Sequence, residues 1–515
     1  MSGTRRLRAF KRWMVSQGIE CSDALQLAYT PDHGFSVRAL CPLSHGDLVA
    51  TIPKLSCLTI RTSAASQLIQ SASLDVSLGL AVALMYERSL GERSAWASYL
   101  DLLPHQECLP FVWTADEVDR FLRGTELHKT VKEDQSLIIE DWKESILPLL
   151  DSSSLKLNPS FFGVEQYFAV KTLIASRAFQ VDNYHGYGMV PLADLFNHKT
   201  GAEDVHFTSV SSQCDSDDEV HSSKIDVSNN TVDDKPTTLS SPVDNTGLDA
   251  DLVGGNSCGN DEIECPSVLG DVPAALQMIM VKNVKAGDEV FNTYGLSGNA
   301  ALLHRYGFTE PDNPYDIVNI DLELVLQWSS SLFSSRYSRA RLSLWRRLDY
   351  SGYVSQDSEY FEISFGGEPQ IELLVLLYIM LLPEDAYCKL DIAISTAGNV
   401  NGPMGMLLSD KTKIFCEETS KMTQRSKDLL LTKSVCNALL SLADIREGLY
   451  GANSIEDDVE ALVRYCSVRD KKLYHSLVLR ISERRILGKL RTYATVAAKS
   501  RKTKRPSMRK KLKRT

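Results

Sequence analysis

The sequence predicts an α+β chain: a β-rich fold that carries an inserted helical block and is followed by a separate α-rich domain. Three observations lead there. Residues 29–61, 188–195, 204–208 and 275–293 read as short strands between turn residues. From about residue 74 to 180, apolar residues recur instead at three- and four-residue intervals. From about residue 322 onward that helical spacing returns.

Taken in order, Leu7, Phe10, Trp13 and Met14 share one helical face, so an opening helix is expected within residues 1–28. Its basic run, with no acid before Glu20, also has the look of a transit peptide, but no apolar stretch of the secretory kind follows. Gly34 and His45-Gly46-Asp47 punctuate the first strands, and Leu48-Val-Ala-Thr-Ile-Pro53 closes on a strand-breaking proline. Within a helical insert placed at about 70–185, Leu78, Leu80, Ala81, Leu84 and Met85 form one apolar face. Val164, Tyr167, Phe168, Val170, Lys171 and Ile174 lie along another helix.

Residues 209–270 hold thirteen Asp/Glu, two Lys and no aromatic residue. Such a segment cannot bury enough apolar surface to offset its ordering entropy, so a disordered acidic loop between two strands is expected. In the last block, 322–490, helices are expected at 371–382, 426–447 and 456–488, with a strand at Tyr360–Phe365. Arg336, Arg339, Arg341, Arg346 and Arg347 read as a solvated helix face or, alternatively, as a grip on an acidic partner. Residues 495–515 form a basic tail.

At 515 residues the chain is long enough for two or three domains, and 43% hydrophobic with 24% charged residues is the ordinary balance of a soluble protein. Its longest apolar run, Leu373 to Leu382, is too short to cross a bilayer, so no membrane contact is expected. Eleven cysteines without a Cys-x-x-Cys pair speak against structural zinc and against a disulfide framework, and fit a reducing compartment. The net charge of −10 conceals segregation: residues 499–515 carry ten Lys/Arg and no acid, so the remainder stands at −20 (−10 minus +10). Such a tail suits nuclear import, attraction to ribonucleoprotein, or a plain solvated end.

Two distant segments carry the chemistry. In Gly186-Tyr-Gly-Met-Val-Pro-Leu-Ala-Asp-Leu-Phe-Asn-His198, polar Asp194, Asn197 and His198 emerge from an apolar run. In Asp288-Glu-Val-Phe-Asn-Thr-Tyr294-Gly, a strand ends in a Tyr-Gly turn, and Leu302-Leu-His-Arg-Tyr-Gly-Phe308 follows. Buried amides, imidazoles and phenols need partners, so the two sets are expected to assemble into one polar site. Taken singly, Tyr294 and His198 also suit a core tyrosine and a satisfied core histidine, and Gly34 a mere turn. His198, Glu203 and His206 match no metal-ligand spacing, so no metal is expected.

Together with Asp32-His-Gly-Phe-Ser-Val-Arg-Ala39, Gly46–Pro53, Ser176-Arg-Ala-Phe179, Val284–Gly295 and Asn299–Phe308, these segments resemble the SET-domain protein-lysine N-methyltransferases of the Rubisco large-subunit and ribosomal-protein class. Within that class the resemblance is to the SET domain-containing protein 6 and ribosomal lysine N-methyltransferase 4 group. It implies a SET domain over 29–310, with the Asn-His and Tyr segments meeting in a knot-like crossing, and a substrate-binding domain over 322–490. It implies S-adenosylmethionine as methyl donor, no metal, a ribosomal or nuclear protein as substrate, and residence in the nucleus or cytoplasm. By position, backbone at His33, Gly34 and Phe35 would line the methionine end of the donor, and Arg177 its carboxylate or the substrate channel. Asn197 and His198 would hold the adenine and ribose end through main-chain and amide hydrogen bonds. Tyr294 would be the active-site tyrosine, with Tyr306 and Phe179 walling the lysine channel. Asp194, whose plainer role is to bond nearby backbone, is placed on the substrate side. Ser36 departs from the pattern, standing where the family often has a second glycine. A histidine acceptor on the same fold, and a binding module without catalysis, are the competing readings.

Overall fold

The computed structural model describes residues 3–31, 34–152, 157–209, 275–347, 360–397, 424–465 and 467–503. His33, the acidic segment beyond Ser209 and the tail beyond Thr503 lie outside the described residues.

The opening helix, Gly3–Ser16, buries the four expected residues Leu7, Phe10, Trp13 and Met14. It ends sooner than its assigned segment. Strand β1 (Glu20–Cys21) falls inside 1–28 and β2 (Leu25–Thr30) begins there, because Leu25 and Leu27 alternate with exposed Gln26 in the two-residue period of a strand. β2 pairs with β3 (Gly34–Ala39) as an antiparallel hairpin that brings Tyr29 opposite Phe35.

β4 (Leu48–Pro53) lies between β1 and β9 (Ala275–Met280), and β8 (Val205–Ser209) completes a four-stranded antiparallel sheet in the order β1-β4-β9-β8. β8 and β9 therefore flank the acidic segment and pair with each other. A second sheet sets β7 (Gly186–Met189) between β5 (Leu58–Thr59) and β6 (Ala178–Asp182). The strand expected at 188–195 stops at Met189, where Pro191 lacks the N–H that a ladder needs, and Ala193–Leu195 closes into a 3-10 turn. The strand expected through 293 likewise stops at Met280, leaving single bridges at Leu43–Val284, Arg38–Glu289 and His198–Asn292.

The helical insert follows the sequence periodicity. Val76–Leu90, capped by the Asp75 carboxylate, packs against Val164–Arg177. Their buried faces, with Leu84, Tyr167 and Leu173, join the sheets in one core that also takes Phe10, Ile52 and Phe196. A second core belongs to the C-terminal block. There β10 (Val318–Asp321) pairs with β11 (Tyr360–Ile363), and the apolar helix Ile371–Met380 is buried along nearly its whole length.

The C-terminal block is joined to the insert rather than merely appended to it. Arg446 donates to the carbonyls of Gly124 and Asn319 and to Glu126, while buried Glu483 accepts from Tyr450 and from the Glu126 N–H. Gly124 has φ +79° and stands so near the Tyr450 backbone that a Cβ would lie 2.6 Å from its nitrogen. The final helix, Lys471–Thr503, gives Leu479 to the first core and Ile486, Leu487 and Leu490 to the second. It runs past the expected edge at 490 and takes in the start of the basic tail. Arg341 departs from the solvated-face reading: it is 1% exposed, clamped between the rings of Tyr337 and Tyr387, and donates to the Ile379 carbonyl.

Candidate active site

The first half of the site grows from the bend that ends β7. Leu192 is fully buried yet has φ +77° and ψ −48°, a conformation costly for an L-residue, about 1–3 kcal/mol. Buried Val190, Leu195 and Phe196 around it hold the bend in place. The turn sends Asp194 inward, where its Oδ2 accepts from the Tyr99 hydroxyl at 2.8 Å. Arg177, at the end of Val164–Arg177, donates from Nη1 to the Asp194 carbonyl at 3.0 Å and from Nε and Nη2 to Glu107 at 2.9 and 2.6 Å. Burial pushes the Asp194 carboxyl up to about 6, against the pull of Arg177 and Tyr99 in the other direction. Burial works against the Arg177 charge too, but Glu107 and Asp194 more than offset it and raise its pKa.

The second half is the crossing. Asn292 donates its N–H to the Asn197 carbonyl at 2.9 Å, and His198 and Asn292 form a parallel bridge. Tyr294 then donates its backbone N–H to His198 Nδ1 at 3.0 Å. A ring nitrogen that accepts carries no proton, so the tautomer assigned by this contact has its proton on Nε2, 3.4 Å from Thr200 Oγ1. Burial holds the His198 pKa below its ordinary value, with Glu310 and the Asn292 backbone opposing, so the ring is neutral at pH 7.

The Tyr294 ring lies between two others, 5.0 Å from His198 and 4.4 Å from Tyr306, stacked on both. Its hydroxyl donates to the Phe196 carbonyl at 3.1 Å. Burial, only partly countered by Arg177, lifts the phenol well above its ordinary pKa and keeps it protonated. Asn197 is occupied more fully than its expected role allows. Both N–H groups of its amide are committed, to the Phe35 carbonyl at 3.2 Å and to Glu289 at 2.7 Å, and its main-chain carbonyl is taken by the Asn292 N–H, which leaves Oδ1 to meet a ligand.

Gly34 has φ +74°, and no atom lies within 4 Å of where a Cβ would stand, so backbone conformation rather than space calls for glycine. Ser36 sits in β3 opposite Ala28 and is not among the positive-φ residues, so its position has no conformational need for the family's second glycine. Phe179, in β6, has its ring 5.4 Å from Phe207. His206 pairs with Glu203 at 3.1 Å, and among the described residues no group of three His, Cys, Asp or Glu is placed to hold a metal.

Several participants had not been singled out. Phe308, 6.2 Å from His198 and 6.3 Å from Tyr306, was readable from its place two residues after Tyr306. Glu289 lies within the quoted Tyr294 segment, where its partner Asn197 is not visible from sequence. Tyr99, Glu107 and Glu310 reach the site from other elements, and nothing in their local sequence marks them.

No family model matches the chain. Ribosomal lysine N-methyltransferase 3 of Saccharomyces cerevisiae is 27% identical over 368 residues, 61% of this chain and 66% of that protein's length. N-lysine methyltransferase setd6 of Xenopus laevis is 23% identical over 393 residues, 74% of each chain. Ribosomal lysine N-methyltransferase 4 of Schizosaccharomyces pombe is 27% identical over 310 residues, covering 56% of this chain and 63% of the other. Among solved structures, the SET domain of LSMT bound to lysine and AdoHcy matches with a TM-score of 0.62 at 19% identity, over 99% of this chain and 97% of that one. Rubisco LSMT bound to AdoMet matches with a TM-score of 0.60 at 18% identity, over 98% and 97%. The resemblance drawn from the motifs is borne out, and the fold is that of these SET-domain structures.

Proposed function

We propose that this chain transfers a methyl group from S-adenosylmethionine to the ε-amine of a lysine in a protein substrate. The observation that carries the reading is the crossing itself, where a protonated phenol is stacked on a neutral imidazole through two segments 96 residues apart. The relatives named as lysine methyltransferases, and the solved structures of the same fold with AdoMet or lysine bound, support it.

The residues present fit such a donor. Gly34 leaves open space beside the backbone that leads into Phe35. Asn197 Oδ1 is an acceptor with no hydrogen-bond partner among the described residues, and the stack of His198, Tyr294 and Tyr306, with half-buried Phe308 beside it, makes an aromatic wall of the kind that tolerates a cation. Asp194 Oδ1 is buried without a hydrogen-bond partner, an acceptor of the kind that an incoming N–H satisfies. When bound, the donor supplies a methyl carbon made electrophilic by its sulfonium. The chain's own contribution is to prepare the amine. A lysine has an ordinary pKa of about 10.4, so only about one in a thousand is neutral near pH 7.4, a deficit of roughly 4 kcal/mol. Aromatic walls favour the neutral form by desolvation, and the proton leaves to solvent before attack. Tyr294 keeps its own proton and donates it to the Phe196 carbonyl, so its oxygen is left as an acceptor that can orient the reacting groups. The nitrogen–carbon bond forms as the carbon–sulfur bond breaks, and no side chain is needed as a nucleophile.

We also propose that the substrate is a ribosomal or nuclear protein and that the chain resides in the nucleus or cytoplasm. The names of the ribosomal relatives support the first, and the ten Lys/Arg of residues 499–515 support the second. Incubating a proteome with the enzyme and isotopically labelled donor, then mapping modified residues by mass spectrometry, tests the activity and finds the substrate. Label on lysine side chains is expected; label on histidine alone would overturn the acceptor assignment.

A further inference from the structure

Behind the His198 turn runs a hydrogen-bonded chain that the reaction does not itself require. Both carboxylate oxygens of Glu310 accept from the Thr200 N–H, at 3.1 and 3.2 Å, and Thr200 is the residue whose hydroxyl meets His198 Nε2. Glu310 is in turn fixed from both sides of its backbone. Its N–H donates to Asn299 Oδ1 at 2.7 Å, and its carbonyl accepts from Asn299 Nδ2 at 2.8 Å. Asn299 is fully buried and donates again, from Nδ2 and from its backbone N–H, to the two oxygens of Asp316. Asp316 Oδ2, the oxygen that accepts from Asn299 Nδ2, also accepts from the hydroxyl of Ser482, which belongs to the final helix. The same helix grips the neighbouring residue, because His475 Nδ1 meets both the N–H and the hydroxyl of Thr309, at 3.1 and 2.9 Å.

We infer that Glu310 is a positioning residue for the donor site, holding the His198 turn through Thr200, and that the final helix sets Glu310 in place through Ser482, Asp316 and Asn299. The C-terminal block thereby governs how well the donor is held as well as any docking of a protein. A purely structural role for the chain would lower the unfolding temperature and leave donor affinity in the folded protein untouched. A positioning role moves affinity itself, because the Asn197–His198 segment is what the donor meets. The inference rests on the proposed donor site.

The test is calorimetric titration of the full-length chain with S-adenosylmethionine, well below the unfolding temperature. Glu310→Ala removes both acceptors of a charge-assisted hydrogen bond and should weaken donor binding by about tenfold. Glu310→Gln keeps one acceptor oxygen and should restore most of that loss, to within about threefold of the unaltered chain. A folded Glu310→Ala chain that binds the donor as tightly as the unaltered one overturns the inference while leaving the proposed function standing. An unaltered chain that binds no donor overturns both. Should Glu310→Ala fail to fold, Ser482→Ala decides: it removes the hydroxyl that Asp316 accepts from the final helix and should weaken donor binding about threefold, and a folded Ser482→Ala chain that binds the donor as tightly as the unaltered one overturns the inference.

Discussion

The Tyr294 crossing and the Arg446 junction are both assembled from buried polar groups, yet they differ in what they leave unpaired. At the junction each guanidinium nitrogen of Arg446 has a partner, in Asn319, Gly124 and Glu126, and Glu483 is met by Tyr450 and the Glu126 N–H. At the crossing, Asn197 and His198 use their side chains to hold Phe35, Glu289 and Tyr294, while Asn197 Oδ1 has no hydrogen-bond partner among the described residues and half-buried Tyr306 and Phe308 flank the stack. Full internal pairing welds two cores together. Pairing that stops one acceptor short, beside half-exposed rings, prepares a surface for something else to complete. The strained Leu192 lies on the crossing side of this contrast, where packing holds the turn that carries Asp194.

Four substitutions sharpen that contrast, in order of decreasing effect. Arg446→Ala leaves Glu126 and Glu483 buried without their cation and should cost about 3–5 kcal/mol of unfolding free energy by chemical denaturation. Donor affinity of the folded fraction should hold; a cost under 1 kcal/mol would remove the junction from the stability account.

Asp194→Asn acts through pH. The folded carboxyl titrates near 6 and the unfolded one near 3.8, so between those values the folded chain binds more protons and this group's stabilisation falls as pH rises. The shift of about two units is worth about 3 kcal/mol across that window. The variant should lose this slope when denaturation midpoints are compared at pH 4 and pH 6, and an unchanged slope would show that Asp194 is not the group responsible.

Tyr294→Phe removes the hydroxyl but keeps the stacked ring. It should lower kcat by about 10²-fold and leave donor affinity within a few-fold, because what is lost is alignment rather than contact. A large loss of donor affinity would instead make the phenol a donor-binding group. The smallest effect belongs to Gly34→Ala. No atom obstructs the added methyl, so only the left-handed backbone resists it, at about 1–2 kcal/mol of stability.

Much of this was legible in the chain because it is local. Leu7, Phe10, Trp13 and Met14 announced a helix, and the apolar run before Asp194 announced a segment that must bury polar groups. What lay hidden depends on distance. Nothing near Glu107 tells that it faces Arg177, seventy residues away, and nothing near Ser482 tells that it bonds Asp316. Arg341 looked like one more solvated arginine because its two tyrosine walls, Tyr337 and Tyr387, come from different helices. Strand ends were blurred for another reason: the bend at Leu192 interrupts a run whose composition still reads as strand. Periodicity reports which face is buried and says little about who meets it there.

The central claim is that the Asn197–His198 and Tyr294 segments together form a seat for a sulfonium donor. Calorimetric titration of the purified full-length chain with S-adenosylmethionine tests it most directly. The account predicts saturable binding of one donor per chain, competed by S-adenosylhomocysteine and needing no added metal. A titration without binding heat, confirmed by equilibrium dialysis with labelled donor, would contradict it.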